Sequence, residues 1–465
     1  MAQLSRCLPL LLAAGLAGCT VGPDYHRPAV AVPAHYAEKG PWQPVKTAPV
    51  AEARWWEVFG DQTLDALEAR VQVSNQTLKA AEAQYRQALA LAAEARAGLY
   101  PTLGASMSLS RNASSSAVGV IKSGSIVNNV AGSLQASWAP DVWGRIRRQI
   151  QAGAANAQAS AADLAGARLS LQAQLAQNYF SLRLADAQRQ LLERTAAADR
   201  DILTITRHQY ASGIVSQASV AQAEAQYKSA QAQAVDAGVA RAQYLHAIAV
   251  LVGEPASTFQ LGSIDNWHAS LPAIPPGLPS QLLQRRPDIS ASERQMAAAN
   301  AQIGVAEAAW YPSFTLSANG GLQAPSLAQW LSAPARFWSL GPALTETLLD
   351  GGLRRAQTAA AKAAYEAAEA NYRQTVLAAF QQVEDNLAAL GILAKEAALQ
   401  EGALDAARRS YDLTLNQYRA GIVGYINVLT AQGSLLASEK SVLAVAGQRQ
   451  AASIALIQAL GGRWN

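Results

Sequence analysis

Apolar or small residues recur in steps of four and three along the C-terminal part of the chain, at Val376, Phe380, Val383, Leu387, Leu390, Ala394 and Ala397, then Leu404, Tyr411 and Tyr418. This 3.5-residue spacing predicts a coiled-coil helix. A weaker seam in matching register runs through Leu175, Leu182, Ala196, Leu203 and Tyr210. Proline agrees with both, because none of the 19 prolines falls between Asp141 and Glu254 or after Pro342. A proline inside a helix costs roughly 3 kcal/mol, so these are the regions where long helices are allowed. From Gly352 to Tyr418 an unbroken helix would extend roughly 100 Å at the usual rise per residue. The alternative is a bundle folded back at Gly391 or Gly402, but the seam passes through both glycines without a break.

Just before each helical region the period changes to two. Leu103, Ala105, Met107 and Leu109 alternate with small polar residues, as do Val130, Gly132, Leu134, Ala136 and Trp138. Phe314, Leu316, Ala318 and Leu322 repeat the pattern, and Trp338, Leu340, Pro342 and Leu344 follow it less cleanly. Strands are predicted at about 102–111, 128–138, 313–322 and 337–345. Each is close to the length a tilted strand needs to cross a bilayer. Five tryptophans (Trp138, Trp143, Trp310, Trp330 and Trp338) lie in or beside them, as an interfacial aromatic girdle requires. A soluble sandwich with one wet face is the alternative; serine-rich opposite faces suit a water-filled lumen better.

The two helical regions and two strand pairs are copies of one unit. Gln209-Tyr210-Ala211-Ser212-Gly213-Ile214-Val215 returns as Gln417-Tyr418-Arg419-Ala420-Gly421-Ile422-Val423. Gly144-Arg145-Ile146-Arg147-Arg148 returns as Gly351-Gly352-Leu353-Arg354-Arg355, and Tyr100-Pro101-Thr102-Leu103 as Tyr311-Pro312-Ser313-Phe314. The offsets are 208, 207 and 211 residues, too long for a solenoid. The expected organisation is a signal segment at 1–18, an N-terminal segment at 19–60 and a first repeat at 61–253 with long helices over 144–253. A proline-rich connector at 254–279 leads to a second repeat at 280–465 with long helices over 351–461.

Four strands leave two open edges, and a bilayer offers no partner for unpaired backbone groups. Closure must come from further copies. Two chains would give eight strands, a barrel whose interior is filled by side chains; three would give twelve, with room for a lumen. The fold class is therefore mostly α with a membrane β-barrel portion. If the protein is a conduit, a trimer is the smallest workable assembly, with each subunit supplying four strands of a twelve-stranded barrel beside its long coiled-coil helices.

The N-terminus adds an address. Arg6 precedes the short apolar stretch Cys7 to Leu16, a secretory signal rather than a membrane span. The stretch ends in Leu16-Ala17-Gly18-Cys19, which resembles the lipobox of bacterial lipoproteins and makes Cys19 the lipidated first residue of the mature chain. Thr20 is not the aspartate that favours inner-membrane retention, so the outer membrane of a Gram-negative cell is the expected location. Once Cys7 leaves with the signal, Cys19 is the sole thiol, and the five histidines are widely separated. No metal site or cofactor is expected. A formal charge of +4, dispersed along the chain, gives no case for nucleic acid. No phosphate loop, Cys/His cluster or nucleophile–base motif argues for an enzyme. Without a nucleotide motif or long apolar helix, a duct of this kind opens only through partners that prefer its open state.

Taken together, Gly18-Cys19-Thr20-Val21-Gly22-Pro23-Asp24-Tyr25, Trp55-Trp56-Glu57-Val58-Phe59-Gly60-Asp61, Arg285-Arg286-Pro287-Asp288-Ile289, Tyr311-Pro312-Ser313 and Leu349-Asp350-Gly351-Gly352 resemble the TolC-like outer-membrane efflux family. The lipobox places the resemblance in its lipoprotein (NodT-type) branch, serving resistance-nodulation-division systems. The resemblance implies a homotrimeric exit duct, with a twelve-stranded β-barrel in the outer membrane and a trimeric α-barrel of the long helices crossing the periplasm, passively conducting small molecules delivered by an inner-membrane resistance-nodulation-division transporter and a periplasmic adaptor. It also implies that the helix-to-helix turns, Gly213-Ile214-Val215-Ser216 and Gly421-Ile422-Val423-Gly424, form the periplasmic tips that meet the adaptor. The apolar Ile-Val pairs there are explained either by such a partner or by packing within the chain. Where the family holds its entrance shut with acidic and Arg/Tyr contacts, this sequence keeps Tyr418 (with Tyr210 in the first repeat) but has Val423 for arginine. It has Ser219, Asn427 and Thr430 at the acidic positions. Neutral hydrogen bonds and packing are then expected to close the gate. Two other functions fit parts of the pattern: the outer-membrane duct of a type I secretion system, and a non-conducting coiled-coil tether, which would have no use for the four strands.

Overall fold

The computed structural model describes residues 20–38, 54–113, 126–265, 267–272, 274 and 279–462. The signal segment and Cys19 lie outside the described residues, as do 114–125 between the first two strands and 275–278 of the connector. A 3₁₀ turn at Trp55–Phe59 leads to α1 (Gln62–Ser74) and α2 (Gln76–Ala97). Then come β1 (Thr102–Ala113), β2 (Ile126–Trp138), α3 (Arg145–Ala211) and α4 (Gln217–Leu251). The second repeat has α5 (Pro279–Arg285), α6 (Pro287–Ala308), β3 (Ser313–Ala324), α7 (Leu327–Trp330), β4 (Arg336–Thr345), α8 (Leu353–Arg419) and α9 (Tyr425–Ala459). Both long helices have 67 residues and both that follow have 35, so the duplication is preserved in the lengths of the two helical hairpins. α8 runs through Gly391 and Gly402 without interruption.

Each long helix starts the same way. Asp141 accepts from the backbone N–H groups of Ile146 (2.9 Å) and Arg147 (2.8 Å), and the Arg147 side chain pairs with it at 3.2 Å. Asp350 accepts from Gly352 N (2.9 Å) and Arg354 N (3.2 Å) and pairs with Arg354 at 2.7 Å. An anion here satisfies otherwise orphaned N–H groups and complements the helix dipole. The Arg354 guanidinium and these backbone donors hold the Asp350 carboxyl below its usual range.

The described residues divide into two compact units. One gathers residues 20–29, 84–113, 126–161 and 291–373 and contains the sheet. Its strands are antiparallel in the order β1-β2-β3-β4. The register places Leu103, Ala136, Ala318 and Leu340 in one row across all four strands, and Ala105, Leu134, Gly320 and Trp338 in the next. Ser106, Ser133 and Gly321 form a row of the opposite face, where the Ser106 and Ser133 hydroxyls lie 3.0 Å apart. Leu103, Met107, Leu109, Leu134, Trp338, Leu340 and Leu344, all on one face, are exposed. The sheet is thus sided in a way that water would penalise, and β1 and β4 each keep an edge with no partner strand among the described residues.

At the junction of sheet and helix in this unit, Trp143 stacks on Tyr311 with centroids 4.8 Å apart and donates to the Pro312 carbonyl at 2.8 Å. Residues 20–25 are seated beside it. Val21 N donates to the Trp143 carbonyl at 3.1 Å, and the buried Arg148 guanidinium reaches the carbonyls of Val21 (3.0 Å) and Gly22 (2.8 Å) and the Asp24 carboxylate (3.1 Å).

The other unit, residues 30–38, 54–83, 162–265, 267–272, 274, 279–290 and 374–462, holds the main hydrophobic core. Trp55, Trp56 and Phe59 meet edge to face and pack with Leu64, Tyr179, Phe180, Ile248 and Ile457. Arg286 caps the C-terminal end of α9 through the Ala459 carbonyl (3.0 Å) and pairs with Asp288 at 2.6 Å, with Pro287 opening α6. The Trp-Trp and Arg-Arg-Pro-Asp signatures are accordingly packing and capping devices.

Candidate functional site

The two helical hairpins turn by the same mechanism. Gly213 and Gly421 both sit at φ +75°, the left-handed conformation that glycine adopts without a Cβ clash. Gly213 N donates to Tyr210 O and Ile214 N to Gln209 O, each at 2.9 Å; Gly421 N to Tyr418 O and Ile422 N to Gln417 O repeat both bonds at 2.9 Å. This is a Schellman cap, which consumes the last carbonyls of the long helix and lets the chain reverse within a few residues. Ser216 then caps α4 by accepting from Ser219 N at 3.4 Å, whereas Gly424, at the same place in the second repeat, has no side chain to offer α9.

The turns separate the members of each apolar pair. Ile214 is 64% and Ile422 73% exposed. Val423 instead packs against a buried cluster of Ile202, Leu203, Ala223, Tyr418, Tyr425 and Val428, and Val215 is half-buried. Packing within the chain explains Val423 and leaves the isoleucines unexplained. Two large aliphatic side chains held in water on rigid turns have the composition of a contact site for another protein.

The matching tyrosines also diverge. Tyr210 is 47% exposed, whereas Tyr418 is 1% exposed and its hydroxyl lies 2.8 Å from that of Thr206 on α3. Thr206 in turn donates to the Ile202 carbonyl at 2.8 Å, which leaves the Tyr418 hydroxyl to donate to Thr206 Oγ1. Gln209 reaches the Tyr418 carbonyl at 3.5 Å, so α3 holds α8 at both ends of this residue. Burial, with the nearby Asp199 carboxylate next in importance, pushes the Tyr425 hydroxyl up to about 12, and the ring stays neutral in the apolar cluster. Ser219 uses its backbone N–H in the α4 cap; Thr430 spends its hydroxyl on the Ile426 carbonyl at 2.9 Å, and Asn427 is exposed. Asn427 and Thr430 are neighbours three residues apart on α9, and no hydrogen bond joins either of them to Ser219. Tyr418 and Val423 are brought together; Thr206 and Tyr425 complete the site and were absent from the sequence expectation. Their signal was available, since Thr206 lies one heptad beyond Asp199 on the seam side of α3.

If the exposed isoleucines form a docking tip, Ile214→Asp with Ile422→Asp should leave helical content and oligomer intact. Capture of the protein by a partner docking at these turns should fall at least about tenfold, the usual scale for losing two apolar anchors from an interface. Co-purification and circular dichroism of the double variant measure both quantities.

Comparison with known proteins bears on the whole chain. Residues 68–254 and 278–462 each match the family described as "Outer membrane efflux protein", one match per repeat. The pyoverdine export outer membrane protein OpmQ of Pseudomonas aeruginosa is 31% identical over 416 residues, covering 88% of this chain and 87% of that protein. The cation efflux system protein CusC of Escherichia coli is 28% identical, over 99% of each chain. Among solved structures, the outer-membrane channel OprN superposes with a TM-score of 0.88 at 29% identity, covering 96% of this chain and all of OprN.

Proposed function

This chain belongs to the outer membrane efflux protein family, and from that premise we propose that it is the exit duct of a tripartite efflux pump, a homotrimer anchored by lipid at Cys19. The sheet carries this reading. It has one exposed apolar face, one polar face lined by serines, and two edges that lack partners among the described residues. An outward apolar face belongs in lipid and a polar face around water, and three such sheets edge to edge close into a twelve-stranded barrel. A coiled-coil tether would need none of these features.

Conduction is passive. Opening must therefore come from a periplasmic adaptor and an inner-membrane resistance-nodulation-division transporter that bind the open form better than the closed one. The tips, Gly213 to Ser216 and Gly421 to Gly424, are the surfaces offered to the adaptor, with Ile214 and Ile422 as anchors. Tyr210, Ser219, Tyr418, Asn427 and Thr430 line the periplasmic gate, where Tyr418 is held by a neutral hydroxyl rather than by a salt bridge. The cargo is a small molecule. OpmQ is named for pyoverdine export and CusC for cation efflux, so one scaffold serves chemically different loads.

The lipoprotein reading is supported by the seat of the N-terminal segment. Thr20, the residue after Cys19, packs against Gly144 at the start of α3, and Arg148 clamps the next residues beside Trp143. An acyl chain on Cys19 would enter the bilayer near the sheet-proximal end of the helices.

Native mass spectrometry of the detergent-purified protein tests the closure argument, and planar-bilayer recording tests conduction. A trimer carrying diacylglycerol and fatty-acyl mass, with discrete conductance steps, is expected. A stable monomer or dimer that conducts nothing would remove the basis for the duct.

A further inference from the structure

Two turns from Thr206 on α3, Asp199 is 2% exposed and faces Gln432 of α9, which is also buried. Gln432 Nε2 donates to Asp199 Oδ1 at 2.7 Å. The remaining polar atom on each side, Asp199 Oδ2 and Gln432 Oε1, is buried and has no hydrogen-bond partner. Both are acceptors while the acid is ionised, so they cannot satisfy each other. A single proton changes this. With hydrogen on Oδ2, the acid gains a donor that the amide oxygen can accept while Oδ1 still accepts from the amide N–H, so the two groups can form a ring of two hydrogen bonds. The proton removes a buried charge and two orphaned acceptors at once.

The surroundings favour that state. Among the described residues no cationic side chain is paired with Asp199; the groups facing it are Gln226 from α4, Tyr411 from α8, and Tyr425 and Gln432 from α9. Burial raises the proton affinity of Asp199, outweighing the amides of Gln432 and Gln226, which favour the ionised form. A carboxyl with a raised folded-state value contributes its stability at low pH and loses it as pH rises through that value.

We infer that Asp199 and Gln432 form a proton-operated tie between the helical hairpins of the two repeats, which tightens the closed entrance as the surrounding compartment acidifies. The Thr206–Tyr418 contact lies one heptad along α3 on the same face, so both bonds resist the same separation of α3 from α8 and α9. This inference rests on the duct reading only for its consequence, the opening of a channel; the tie itself is testable without conduction.

In planar bilayers the full chain is expected to open severalfold more often at about pH 8 than at about pH 5. Asp199→Asn supplies the donor permanently without a titratable group, and should give the low, acid-like opening at both pH values. Asp199→Leu removes the tie and should open readily at both. A wild type whose opening is unchanged across this range, or an Asn variant that keeps the wild-type dependence, overturns the inference. Infrared difference spectra provide the second measurement. A carboxylic-acid C=O band that titrates above the ordinary carboxylate range and vanishes in Asp199→Asn supports the tie, and its absence overturns it. Should no form conduct at any pH, the duct reading fails, and the infrared titration still decides the tie.

Discussion

Replacing Asp186 by alanine is expected to destabilise the folded chain by roughly 3–5 kcal/mol, the scale for removing one partner of a buried ionic network. Asp186 is fully buried on α3 and binds two guanidinium groups, Arg241 Nε at 2.7 Å and Arg183 Nη1 at 3.4 Å. The same two arginines hold the connector after α4, through the carbonyls of Gly262 (2.7 Å) and Leu261 (2.9 Å). Arg183 is also buried and lies over the Tyr179 ring at 4.7 Å, so it cannot swing to solvent when its counter-ion goes. Alanine would leave buried positive charge compensated only by carbonyl dipoles and the face of the Tyr179 ring. Asp186→Asn should cost less, because an amide oxygen still accepts one of the two bonds. Denaturant midpoints followed by circular dichroism separate the two variants. An alanine variant as stable as wild type would mean that water reaches these arginines.

The architecture was legible because two simple periodicities carry it. Alternation from Leu103 to Leu109 and from Val130 to Trp138 marks strands since one face is apolar over its full length. The seam from Val376 to Tyr418 predicts a single helix, and α8 is one, because glycine costs only about 1 kcal/mol in a helix that packing supports. What escaped the sequence depends on long-range register. Tyr210 and Tyr418 occupy equivalent places in the repeats, yet only the second turns into the cluster with Thr206. No local pattern separates Ile422, which faces outward, from Val423, which packs. Asp199 looks like any polar residue on a helix surface until α9 lays Gln432 against it, 233 positions away. The Arg148 clamp joins two segments more than a hundred positions apart; each carries a recognisable motif, but neither motif says that they meet. Positions 219, 427 and 430 carry no acidic residue, and Asp199, on the same helix as Thr206, is buried within the subunit.

Gly321→Val is expected to abolish membrane-inserted oligomer while leaving helical content nearly unchanged. Gly321 pairs with Ser133, where β2 of the first repeat meets β3 of the second, the one pairing that joins the repeats within the sheet. A Cβ placed there would lie 2.1 Å from the Gly132 carbonyl oxygen and 2.8 Å from Ser133 Cα. Both are backbone atoms, so relief requires the two strands to separate. In a bilayer each backbone group left unpaired by that separation costs several kcal/mol, with no water to take its place. Gly132→Ala should be milder, because the obstruction is the Trp330 ring, a side chain that can turn away. Gly341→Ala, on β4 with nothing within 4 Å, serves as the neutral control. Outer-membrane fractionation with protease protection reads the result, and the helices, whose core lies in the other compact unit, should fold in every variant. If Gly321→Val inserts as well as Gly341→Ala, the two repeats are not joined by this pairing in the membrane. The barrel would then need a different strand register to close.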